Sequence, residues 1–109
     1  MRNETFTFET TSGAAVILDP STVNGQRFSD GHQNAQIQAS NLGGGKFTVE
    51  LRSPAGSQWV EHVTGATESD TVIIAGRQAP IFEALRVSFS NVPALTVSTV
   101  TLTSWPRGI

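Results

Sequence analysis

The sequence predicts an all-β chain, folded as a two-sheet antiparallel β-sandwich of about eight strands. Three observations carry this expectation. Apolar residues recur with a period of two in segment after segment, the spacing of a half-buried strand. Gly and Pro punctuate these segments at short intervals, as in Pro54-Ala55-Gly56, Gly65, Gly76 and Pro93. No segment carries the apolar spacing of an amphipathic helix.

The elements follow in chain order. Phe6 and Phe8 alternate with Thr5, Thr7 and Glu9. Residues 15–18 form a short apolar run that reads as a strand buried more evenly. Residues 20–33 are the longest stretch without a clear strand; they hold the turn signals Asn24-Gly25 and Asp30-Gly31, and a loop of that length is often functional. Residues 26–29 fit a short edge strand as an alternative. Ala35, Ile37 and Ala39 face one way and Asn34, Gln36, Gln38 and Ser40 the other. Asn41-Leu42-Gly43-Gly44-Gly45 then reads as a hairpin loop. Phe47, Val49 and Leu51 alternate with Lys46, Thr48, Glu50 and Arg52. Residues 58–63 form a further strand carrying Trp59, and residues 72–75 a second evenly buried run. Residues 77–83 have some helical propensity in their second half but are too few for a stable helix. Leu85, Val87 and Phe89 alternate with Arg86, Ser88 and Ser90. In residues 95–105, Leu95 and Val97 share one parity while Val100 and Leu102 share the other, which predicts a bulge or bend near Ser98 and Thr99. The jelly roll is one arrangement open to these strands, and the sequence does not fix their order.

Composition bounds what such a chain can do. Its 109 residues read as a single domain, 1–109. Hydrophobic residues make up 38%, and no apolar run approaches the ~20 residues of a membrane span. The polar start, Met1-Arg2-Asn3-Glu4-Thr5, lacks an apolar signal core, so a complete chain made in the cytosol is expected. No cysteine is present, which removes disulfides, thiolate ligands and thiol nucleophiles. A formal net charge of −2 argues against nucleic acid as the partner. Charged residues total only 15%, where about 25% is ordinary. The cations are Arg2, Arg27, Arg52, Arg77, Arg86 and Arg107, with Lys46 the lone lysine. Interfaces favour Arg over Lys, so this balance suits a chain packed against other proteins. A neutral surface on a lone β-domain is the plainer alternative.

Chemical motifs fail one by one. Gly43-Gly44-Gly45-Lys46 lacks the Ser or Thr and the helix of a phosphate loop, since Phe47 and a strand follow. His32 lies near Asp30 and His62 beside Glu61, but zinc wants three or four converging ligands. Ser29-Asp30-Gly31-His32 offers no separate elements and no nucleophile elbow for a triad. Trp59 and Trp105 read as core or interface anchors, Trp59 because it shares parity with Val63; exposed, either ring would instead stack on a sugar. Pro106 should end the last strand and leave Arg107 and Ile109 at the domain edge, as a frayed tail or as contacts to a neighbour. No enzyme activity, cofactor or metal is expected.

Four segments have a shared rhythm: Phe47-Thr48-Val49-Glu50-Leu51, Gln58-Trp59-Val60-Glu61, Ala79-Pro80-Ile81-Phe82-Glu83-Ala84-Leu85-Arg86-Val87-Ser88-Phe89 and Val100-Thr101-Leu102-Thr103. This succession resembles small β-sandwich modules in the structural proteins of tailed bacteriophages. There a strand leads to a Trp-bearing strand, then to an A-P-x-x-x-A-L-R-V strand and a Thr-rich closing strand. Size and composition also resemble the capsid cement or decoration proteins of phages, many of them jelly rolls. The likeness covers the second half of the chain and brings no catalytic residues. It implies a non-catalytic virion part, made in the host cytoplasm, that stabilises the head by protein contacts or sits in the tail or neck. The implied partners are the major capsid protein, other virion proteins and further copies of the chain as a dimer or trimer, without nucleic acid or membrane. Arg27, Arg52, Arg86, Arg107 and Ile109 are the expected contact residues. A carbohydrate-binding module using Trp59 or Trp105 is the alternative, and a small enzyme with a site around His32 and His62 the third reading.

Overall fold

The structure, a computed structural model, describes residues 4–18, 32–52, 58–75, 82 and 84–106. Eight strands run through them: β1 (Glu4–Thr11), β2 (Val16–Leu18), β3 (His32–Ser40), β4 (Lys46–Arg52), β5 (Val60–Ala66), β6 (Val72–Ile74), β7 (Ala84–Ser90) and β8 (Val97–Pro106). No helix occurs among the described residues. The strands form two four-stranded sheets, ordered β1-β8-β3-β6 and β2-β7-β4-β5. Every pairing is antiparallel.

The order has a simple rule. β1 pairs with β8, β2 with β7, β3 with β6 and β4 with β5, and in each of these four pairs the strand numbers sum to nine. That is one long antiparallel ribbon, folded back at β4 and β5 and wound around a core. The β3·β8 and β4·β7 pairings then close the winding into two sheets. This is the jelly roll, one of the arrangements the sequence left open.

Alternation explains the core. Ala35, Ile37 and Ala39 of β3, Phe47, Val49 and Leu51 of β4, Leu85 and Val87 of β7, and Val100 and Leu102 of β8 all point between the sheets and are buried. Phe6, Val72, Ile74 and Phe82 join them. Each fully buried Val, Leu or Phe contributes about 1.5–3 kcal/mol relative to an exposed one.

The structure corrects several local expectations. Asn41 to Gly45 is not a hairpin loop: β3 and β4 lie in different sheets, and the segment carries the chain from one sheet to the other. Leu42 drives this, because its side chain is wholly buried between the layers. No bulge occurs on β8. Thr11 to Glu4 pair one-to-one with Val97 to Ser104, and the strand keeps one parity throughout. The apparent phase change arises because Val97 faces outward, Leu95 precedes the strand, and the inward position is taken by the buried Ser98. Its hydroxyl donates to the Asn41 carbonyl at 2.9 Å, which satisfies a polar group the pattern did not anticipate. The runs at β2 and β6 are not evenly buried either. Both are edge strands, and Ile17 and Ile73 face outward. The register slips lie elsewhere, in β3 against β8 near His32 and in β5 against β4. Phe82 is buried in the core, while the rest of residues 77–83 lies outside the described residues.

Candidate functional site

Two outer faces present groups able to engage a partner. The first belongs to the β2-β7-β4-β5 sheet. Glu50 of β4 sits directly opposite Arg86 of β7, so their side chains meet on the same face. Arg86 donates from Nε to Glu50 Oε1 at 2.9 Å and from Nη2 to Oε2 at 2.8 Å. The Ser88 hydroxyl also donates to Oε1. The hydrogen bonds from Arg86 hold the Glu50 carboxyl below its ordinary range, against the opposing effect of burial. Glu50 is therefore a charged, occupied acceptor, unlike a general acid or base tuned near neutral pH.

Trp59 joins this cluster. The guanidinium carbon of Arg86 lies 4.6 Å from its ring centroid and that of Arg52 lies 5.3 Å away, both within cation–π range. The parity argument for burying Trp59 with Val63 fails for a countable reason. Leu51 pairs with Val60 and Val49 with Val63, so two steps along β4 match three along β5. The extra residue reverses the phase, and Trp59 ends half-buried beneath two arginines rather than in the core.

The second face belongs to the β1-β8-β3-β6 sheet. Its register stacks polar residues in rows, uncharged except for Glu9. Thr5 lies opposite Thr103, which lies opposite Gln36; Thr7 lies opposite Thr101, then Gln38; Glu9 lies opposite Thr99, then Ser40. The Thr5 and Thr103 hydroxyls are 3.3 Å apart, and Gln38 Nε2 donates to Thr71 Oγ1 at 2.9 Å. Val97 and Ile73 add exposed apolar groups, and half-buried Trp105 stands opposite Asn34. Glu9 is the one charged residue among the described outward side chains of this sheet.

One end of the sandwich is tightly tied. Ser12, Asn41, Asn91 and Leu95 all have φ near +60°, a region non-glycine residues rarely adopt. Asn41 Nδ2 donates to the Val97 carbonyl at 2.6 Å, and the Leu95 amide donates to Ser12 Oγ at 2.8 Å. The result holds Leu95 outward, 84% exposed. No sequence signal marked this residue, which reads as the first position of a strand.

Of the expected contact residues, the structure brings Arg52 and Arg86 together over Trp59. Arg27, Arg107 and Ile109 lie outside the described residues, as do residues 20–31 of the long loop. His62 is half-buried on β5, in the opposite sheet from β3, which begins at His32. Among the described residues no three His, Asp or Glu side chains converge to hold a metal. Lys46 opens β4 directly after the Gly43–Gly45 turn, so no helix follows to hold phosphate.

No family model, curated protein or solved structure matches the chain. The jelly-roll assignment rests on the strand order itself.

Proposed function

We propose that the chain is a non-catalytic structural protein of a phage virion, of the capsid cement or decoration class. In this reading it is made in the host cytoplasm and binds the major capsid protein or other virion proteins, in the head or in the tail and neck, and associates with further copies of itself. The observation that carries it is the outer face of the β1-β8-β3-β6 sheet. That face is broad, built of Thr, Gln and Ser, fringed by Val97, Ile73 and Trp105, and carries a single described charge, Glu9. Covering neutral hydroxyl and methyl groups incurs a far smaller desolvation penalty than covering charges. Interface centres are depleted of charge for that reason. The low overall charge points the same way. The jelly roll is in use among viral capsid proteins, though lectins and cupins share it, so fold lends support without deciding.

The test is direct. Antibody against the chain is applied to gradient-purified virions from the source, and the chain is incubated with emptied capsids before sedimentation. Co-migration with particles is expected, and a chain that stays at the top of the gradient in both experiments would overturn the reading.

A carbohydrate-binding module is the second reading. It is favoured by one observation: Trp59 and Trp105 are both half-buried on outer faces rather than enclosed in the core. A stacking sugar would change tryptophan emission. Emission unmoved across a panel of neutral and acidic glycans removes this reading.

A further inference from the structure

Four strands lie at sheet edges: β1 and β6 in one sheet, β2 and β5 in the other. An edge offers a row of unpaired N–H and C=O groups, and proteins ordinarily blunt it by shortness, bulges, proline or lysine. Three of these edges are blunted. β2 and β6 are three residues each. β5 slips register twice against β4 and carries Gly65 at a φ of +73°. β1 is neither short nor bulged, and its charges are confined to Glu4 and Glu9. Its eight residues, Glu-Thr-Phe-Thr-Phe-Glu-Thr-Thr, contain no Pro, Gly, Lys or Arg and pair one-to-one with β8 without a slip. Alternate residues of β1 therefore turn their backbone groups away from β8 in regular order. Among the described residues no strand pairs with that far side.

One of the two aromatic residues of this strand, Phe8, is incompletely covered. Phe6 and Phe8 both face inward, with rings stacked at 6.4 Å and 7° between their planes. Phe6 is buried, but Phe8 remains only half-buried.

We infer that the edge of β1 that no described strand covers pairs with the same edge of a second copy of this chain, antiparallel, about a two-fold axis at Thr7. The sequence of β1 selects this register. With Thr7 opposite itself, Phe6 faces the second copy's Phe8 and Phe8 its Phe6, so each aromatic gains a cross-strand aromatic neighbour. Thr5 then faces Glu9, and Glu4 faces Thr10, so no like charges oppose. Centring the axis on Phe6 sets Glu4 against Phe8. Centring it on Phe8 leaves Phe6 against Thr10. A one-residue slip would turn the core face of one copy toward the outer face of the other. The paired sheets become one eight-stranded sheet, and their two Thr/Gln faces run on as a single surface. This deepens the proposed function by naming the edge through which copies associate, and it rests on that reading only for its biological setting.

The experiment uses the whole chain, purified. Sedimentation velocity over a concentration series should show a monomer–dimer equilibrium. The chain has no cysteine, so an introduced one reports a single contact. Thr7→Cys should give a covalent dimer on mild oxidation, because directly opposed residues lie about 4.5–5.5 Å apart between Cα atoms, inside disulfide range. Thr64→Cys on the β5 edge should not. Thr5→Cys alone should crosslink poorly, but a mixture of Thr5→Cys and Glu9→Cys chains should crosslink readily. Thr7→Lys, which sets two cations opposite each other, should sediment as a monomer with unchanged circular dichroism. A wild-type chain that is monomeric at every concentration, or Thr7→Cys crosslinking no faster than Thr64→Cys, overturns the inference. Absence of the chain from virions would leave this dimer standing, and a monomer found in virions would overturn the edge pairing alone.

Discussion

Glu50 and Arg86 face each other across neighbouring strands and are joined by two hydrogen bonds, of 2.9 and 2.8 Å, on a surface where the Glu50 side chain is only 14% exposed and that of Arg86 29%. This geometry is bidentate, the arrangement in which an arginine and a carboxylate bind most specifically. The register makes it possible, because Glu50 and Arg86 are directly opposed in the ladder. Neither residue is near the core, yet together they define the outer face of their sheet and position Arg86 over Trp59.

The pair makes stability depend on acid. The folded-state pKa of Glu50 is lowered, first by the hydrogen bonds from Arg86. A lowered carboxylate contributes stability that is fully present above its unfolded value, about 4.3, and is lost as pH falls through the folded value. Urea unfolding of the wild type should therefore lose stability as pH drops below about 4. Glu50→Gln should be less stable by about 1–2 kcal/mol at pH 7, since a charge-assisted bidentate contact becomes a neutral one. The gap between the two proteins should narrow by pH 3. A gap that stays constant from pH 7 to 3 would show that the carboxylate charge is not what Arg86 recognises.

Trp59 gives a second measurable coupling. Its ring lies within 5.3 Å of the Arg52 guanidinium and 4.6 Å of that of Arg86. A double-mutant cycle of Trp59→Ala and Arg52→Ala should return a coupling of about 0.5–1 kcal/mol, the usual worth of a partly exposed cation–π contact. In a Trp105→Phe background, Arg86→Ala should shift Trp59 emission to the red as the ring gains water. Additive single effects and unmoved emission would mean the rings and guanidiniums are neighbours without interacting.

What the sequence revealed and what it hid follow the same physics. Phe47, Val49 and Leu51, or Leu85 and Val87, are legible because one face of each strand is buried and the period of two is unbroken. Trp59 was illegible because one extra residue in β5 reverses the phase, and nothing local announces the slip. Leu42 was hidden among glycines that suggest a turn, although it is the side chain that seals the passage between sheets. Ser98 misled in the opposite sense: a polar residue at an inward position reads as a phase error until its partner, the Asn41 carbonyl, is seen 57 residues away in sequence. The strand order could not be read because β1 pairs with β8 and β2 with β7, pairings set by the whole winding rather than by any segment. For the candidate surfaces, outward Arg52 and Arg86 were legible from alternation, whereas the Thr-rich face with its single described charge emerges only when β1, β8 and β3 are laid side by side.

Two neighbouring glycines in the sheet-crossing turn should respond very differently to alanine. A Cβ on Gly45 would lie 2.7 Å from the Ser90 carbonyl oxygen and 2.9 Å from the backbone of Asn91, which cannot swing aside as a side chain can. Gly45→Ala should lower stability by about 2–3 kcal/mol, the scale of overpacking against a fixed neighbour. Gly44 has φ of +88° but meets nothing within 4 Å. Gly44→Ala should lower it by only about 1 kcal/mol, the strain of a left-handed conformation alone. Chemical denaturation of both variants decides the matter, and a reversed order would contradict the turn geometry.

Leu95 is the residue whose replacement should stabilise the protein. Its φ of +66° is unfavourable for a bulky side chain, and with 84% of its surface exposed it recovers little by packing. The conformation is imposed by its setting: the Leu95 amide is held by Ser12 Oγ, and the Thr96 amide by the Pro93 carbonyl at 3.2 Å. Leu95→Gly removes the steric strain, worth about 1–2 kcal/mol, and gives back part of it as added freedom of the unfolded chain. The net expectation is a gain of about 0.5–1 kcal/mol, seen as a higher denaturation midpoint at unchanged slope. Leu95→Asn, which tolerates the left-handed region, should gain a smaller amount. A leucine at positive φ with most of its surface exposed is placed for contact rather than for folding. In the capsid co-sedimentation assay the same Leu95→Gly chain should bind more weakly while melting higher. If it melts higher and binds as well as the wild type, the exposed leucine has no part in the proposed capsid contact.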